Sequence, residues 1–97
     1  MIKFDPEKGI HDFEKERESF VADTVKDAIS KLTDTERKEL LEHPDPIEHH
    51  FGYGMYIRNY YIHGKELKFP IFSADDLSEE IVEGIIKMLK QEEAGEN

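Results

Sequence analysis

Seven apolar residues near the C-terminus, Leu77, Ile81, Val82, Ile85, Ile86, Met88 and Leu89, fall on about half the circumference of a helix at roughly 100° per residue. Asp76, Glu79, Glu80 and Glu83 fall opposite, in the first turns, where the helix dipole favours acids. A helix of this kind is stable only if another surface covers its apolar half, and the rest of the chain must supply that cover. Val21, Val25, Ala28, Ile29 and Leu32 repeat with the same period, and Phe13 and Phe20 widen their stripe. Two such helices direct the chain toward a helical bundle.

Stop and start signals divide the remainder. Thr33-Asp34-Thr35-Glu36 has the form of a capping box, in which the Thr33 hydroxyl and the Glu36 carboxylate each satisfy a free backbone N–H. The helix it opens must end by His43, because Pro44 disfavours a helical residue before it. Asp45 then caps a new start, Pro46 suits the first helical position, and Glu48 sits in the first turn. This third helix is expected to run to about Ile62, with Gly64 as a left-handed stop. Residues 65–72 alternate apolar and polar side chains, but Pro70 interrupts them. A short extended connector that drops Phe69, Ile71 and Phe72 onto the helices is expected in place of a strand. The fold class is therefore all-α, a small bundle of about four helices with residues 46–62 central. Residues 1–11 read as an N-terminal arm containing the turn Asp5-Pro6-Glu7-Lys8-Gly9, 12–90 as a single helical domain, and 91–97 as a frayed polar tail.

Composition narrows the chemistry. The absence of cysteine excludes disulfides, thiolate catalysis and cysteine-ligated metal sites. A formal net charge of −10 opposes nucleic-acid binding, which needs a basic footprint. The charge is unevenly spread: residues 1–43 hold 12 acids and 8 bases, 44–72 hold 3 of each, and 73–97 hold 8 acids and 2 bases. The neutral middle carries most of the aromatic residues, and function is sought there. No apolar run has the length of a signal peptide or a membrane span, so a cytoplasmic location and no membrane partner are expected.

On a helical wheel the middle segment has two non-polar sides. Ile47, Phe51, Met55 and Ile62 form one, flanked by Gly54, Ile57 and Tyr61; His49, Tyr53, Tyr56 and Tyr60 form a second, nearly opposite. Such a helix is either buried between neighbours or half-buried with its aromatic stripe facing a partner. Gly52 and Gly54 each cost about 1 kcal/mol relative to alanine within a helix, a cost that fits close packing better than a ligand slot. Arg58 falls inside the apolar stripe and needs a partner, because an unpaired buried charge is very costly. A structural ion pair with Asp75 or Asp76 is the simpler reading, and an anion site the sharper one. The histidines His11, His43, His49, His50 and His63 lack the four-residue spacing of a helical metal clamp, so neither metal nor cofactor is expected.

The block His50-Phe51-Gly52-x-Gly54-Met55-x-Ile57-Arg58-Asn59, followed by Asp75-Asp76-x-Ser78 and an apolar helix, resembles a small bacterial domain family of unknown function. The similarity covers about Leu32 to Leu89. Residues 60–74 are shorter than in that family and lack its tryptophan-containing stretch. The resemblance implies a single domain in which Arg58 and the two aspartates belong to one signature, and it implies no activity.

Three functions follow in order. The first is a non-catalytic protein-interaction module, with a second copy of the chain among the partners considered, using His49, Tyr53, Tyr56 and Tyr60; tyrosine-rich, charge-poor patches have the composition of interface cores. The second is an acidic inhibitor of a basic partner, of the immunity-protein, antitoxin or anti-nuclease kind. An enzyme built on Arg58, His50 and an aspartate ranks third, because no nucleophile or base accompanies the arginine in sequence.

Overall fold

A computed structural model describes residues 9–67, 69–71 and 73–95, with side-chain surroundings from Phe13 onward. Helix α1 spans Gly9–Lys31, α2 Asp34–Glu42, α3 Tyr53–Ile57 and α4 Ala74–Gly95. A 3-10 turn, Pro46–His49, precedes α3, and a π-helical turn, Arg58–Ile62, continues it. The fold is all-α, with no strand among the described residues. No helix there is long and apolar enough to cross a membrane.

The helix boundaries follow their local chemistry. Thr33 Oγ1 accepts from the Glu36 N–H at 3.1 Å while Glu36 Oε1 accepts from the Thr33 N–H at 2.9 Å, closing the capping box at the start of α2. Asp45 Oδ1 accepts from the Ile47 N–H at 3.0 Å. Gly64 takes a φ of +74°, the left-handed conformation that glycine adopts without penalty. Helix α1 begins at Gly9, ahead of its expected start near Asp12, and residues 1–8 of the anticipated arm lie outside the described residues. Helix α4 runs to Gly95, through most of the segment expected to fray, and an ion pair from Arg37 Nη1 to Glu92 Oε2 at 3.0 Å holds its last turns against α2.

Helix α4, and not residues 46–62, occupies the centre. It packs against α1, α2, α3 and both short turns. Leu77, Ile81, Val82, Ile85, Ile86 and Leu89 are all buried, against Val25 and Ala28 of α1, Leu40 of α2, and Ile57, Ile62 and Phe69. Each such side chain contributes about 1.5–3 kcal/mol on burial. Gly84 lets α1 approach, since a Cβ there would lie 3.0 Å from Val25 Cγ2. The Arg17–Glu80 ion pair links the same two helices. The connector lays Phe69 on Phe20, with ring centroids 5.5 Å apart, whereas Ile71 remains exposed and Phe72 lies outside the described residues.

The expected continuous helix from Pro46 to Ile62 is broken. Residues 50–52 form a turn, and Gly52 has a ψ of −105°, far from the helical value. In an unbroken helix the His50 carbonyl would accept from the residue four positions on. Here it accepts instead from the Arg58 guanidinium, at 2.7 Å from Nη2.

Candidate functional site

Arg58 is 7% exposed, and its head group reaches three parts of the chain. Nη2 donates to the His50 carbonyl at 2.7 Å, Nη1 donates to Ser78 Oγ at 3.1 Å, and Nε lies 3.4 Å from Asp75 Oδ1. Ser78 Oγ, also buried, donates in turn to the Asp75 carbonyl at 2.9 Å. Of the two expected aspartates, Asp75 supplies the ion pair. The fork itself grips a backbone carbonyl and a hydroxyl, not a carboxylate. Asp76 does not join; its N–H instead bonds Ser73 Oγ at the start of α4. His50 is half-buried, with Nδ1 3.5 Å from Arg58 Nη1 and its ring edge-on to Phe51 at 4.7 Å. With both prongs bonded, the arginine is a strut between α4 and the 50–52 turn.

The glycines divide. A Cβ on Gly54 would sit 2.8 Å from the His49 carbonyl oxygen and 3.4 Å from Arg58 Nη1, so close packing is its role. Gly52 faces open space and serves the turn, which corrects its assignment to packing.

The opposite side of the segment is exposed. Ile47 is 66% exposed, Phe51 81%, Met55 41%, Tyr56 40% and Tyr60 49%. Ile47, Phe51 and Met55 were expected on a buried face; of that stripe only Ile62 enters the core. The break at 50–52 removes the continuous helical stripe on which these residues were placed with Ile62. His49, grouped with the tyrosines as a surface residue, is buried, and its Nε2–H donates to the His43 carbonyl at 2.6 Å. Asn59 and His63 are exposed, and His43 pairs with Glu48 at 3.2 Å.

Tyr53, Tyr56 and Tyr60 form a ladder. Successive ring centroids lie 5.5 Å apart, with interplanar angles of 25° and 16°. A π turn is a feature that recurs at functional sites, and this one sets Tyr60 edge-on to Tyr61 at 4.8 Å. Lys31 closes the ladder, its Nζ 4.8 Å from the Tyr60 centroid and 3.2 Å from the hydroxyl. Asp27 binds Lys31 at 3.0 Å and accepts from the Tyr61 hydroxyl at 2.5 Å. These two bonds hold the Asp27 carboxyl below its ordinary value, the tyrosine bond having the larger effect. Burial raises the Tyr53 hydroxyl above its ordinary range, and the nearby Glu36 charge adds to this.

Comparison with protein-family models, with curated proteins and with solved structures finds no match for this chain. The two sequence blocks meet at one place: Arg58 of the first, packed beside Gly54, reaches Asp75 and Ser78 of the second. Sequence reasoning passed over Ser78 as a partner of the arginine although it ends the second block. It had no means of finding the His50 carbonyl, a backbone group that every residue carries.

Proposed function

We propose that this domain is a non-catalytic protein-interaction module that docks through the exposed side of residues 47–60. One observation carries the reading. Four large apolar side chains, Phe51, Met55, Tyr56 and Tyr60, stand in solvent between His49 and Gly64, where the only Lys, Arg, Asp or Glu is the buried Arg58. In a chain that is 37% charged, such a strip has the composition of an interface core and is not an ordinary surface. The stacked tyrosines lose little conformational freedom on contact, which favours binding. The partner is a protein, in keeping with a cytoplasmic domain too acidic for nucleic acid, and the resemblance to a bacterial domain family adds no activity to this reading.

The test is affinity purification from the native host with wild-type protein and with Phe51→Ser and Tyr56→Ala variants. Phe51 is 81% exposed, so its change should leave stability within about 0.5 kcal/mol, whereas Tyr56→Ala also removes ring contacts with Tyr53 and Tyr60 and should cost about 1–2 kcal/mol while leaving the domain folded. The wild type is expected to retain a stoichiometric protein that both variants lose. Identical recoveries from folded variants would remove the strip from the function.

A further inference from the structure

The exposed strip borders a cleft of about 280 Å³ between α2 and the start of α3, and Tyr56 belongs to both. The cleft walls include Glu36, Glu39 and Glu48 together with Tyr53 and Tyr56, and contain no lysine or arginine. Glu36 is held by the Thr33 cap, and Glu48 by His43. The Glu39 carboxylate has no hydrogen bond or ion pair among the described residues. The histidine in the wall, His49, already donates to the His43 carbonyl. The two larger clefts differ in this respect, for each includes a base, Arg17 in one and Lys65 in the other.

Building on the interface reading, we infer that the partner is a basic protein segment that lays apolar side chains on Phe51, Met55 and Tyr56 and places an arginine in the neighbouring cleft. Carboxylates beside aromatic rings attract a guanidinium by charge and accept its planar fork while the rings pack against its stem, and arginine is the cation suited to both. The charge balance of the chain disfavours the self-complementary solution: a second copy would bring another acidic rim and another net charge of −10 against the first. Complementarity therefore calls for the opposite sign at the rim and apolar surface at the centre.

The experiment maps amide shifts of the full chain on titration with three synthetic peptides, one of arginine and leucine, one of serine and leucine, and one of glutamate and leucine. The arginine peptide is expected to shift Glu39, Tyr53 and Tyr56 before the acids on the outer face of α4, and to bind at least about fivefold more weakly when ionic strength rises from roughly 0.05 to 0.5 M. Glu39→Lys should weaken it by about fivefold or more. Glu83→Lys, the same charge change on an exposed position of α4, should alter it less than twofold. Equal binding of the serine peptide at the strip would overturn the basic partner and leave the interface intact. Shifts spread evenly over every acidic surface, or equal effects of the two charge reversals, would overturn the cleft. Self-association of the wild type that Phe51→Ser abolishes would give the face to a second copy and overturn the inference.

Discussion

Helix α4 and the segment from His50 to Ile62 are both rich in apolar residues and arrange them in opposite ways. On α4 the isoleucines, leucines and valine point inward and the acids outward, as the hydropathy period dictates. On the other segment the one charged side chain points inward, while Phe51, Met55, Tyr56 and Tyr60 point outward. The difference lies in what each segment must satisfy. A helix with only apolar side chains to bury settles by area, whereas a guanidinium at the core boundary must find its hydrogen bonds first. Arg58 finds them in the His50 carbonyl and Ser78, and the orientation of its neighbours follows.

Three measurements would break or sharpen this contrast. The largest effect is expected from one residue type in the two settings. Ile85, fully buried on α4, should cost about 3–4 kcal/mol when replaced by alanine, whereas Ile47→Ala, at a position 66% exposed, should cost less than about 0.5 kcal/mol in urea unfolding. Comparable losses at both sites would show that the outer strip is core.

Next in size is the strut. Arg58→Met keeps the stem but removes the fork, leaving the His50 carbonyl without its partner; the expected loss is about 2–3 kcal/mol. Arg58→Lys should recover only part of it, because one ammonium cannot reach both acceptors in the same geometry. Asp75→Asn should cost less than about 1 kcal/mol, since that carboxylate side chain is 63% exposed and the ion pair is screened. If Asp75→Asn proved as damaging as Arg58→Met, the ion pair and not the fork would hold the turn.

The smallest effect concerns the link from the π turn to α1. The folded Asp27 carboxyl titrates below its ordinary value of 3.8, so its contribution to stability is complete above that value and disappears as pH falls through the lowered one. Tyr61→Phe removes the main cause and should move the Asp27 titration, followed by carboxyl NMR, back toward 3.8. An unchanged titration would assign the shift to Lys31.

Much of the architecture was legible because its causes are local. The stripes of α1 and α4, the Thr33 capping box, the Asp45 cap and the Gly64 stop depend on residues within a turn or two of each other. The all-α class followed from them. The candidate site was legible only in part. The tyrosines and Arg58 stood out by type and position, but the wheel assumed an unbroken helix from Pro46 to Ile62, and that assumption put Phe51 inside and His49 outside.

What the sequence by itself determined is therefore the all-α class, the caps at Thr33 and Asp45 with the stop at Gly64, and that the middle segment holds a charge on an apolar stripe. Tertiary structure alone decided which helix is central and which way the middle segment faces. The physical reason is one of range. Caps and periodicity are satisfied within a few residues, whereas Arg58 bonds Ser78, twenty positions away, and borrows a backbone carbonyl that no side-chain pattern announces. With those bonds in place, the His50 carbonyl is outside the helix ladder, the chain turns at Gly52, and Phe51, which pattern alone would bury, is left in solvent.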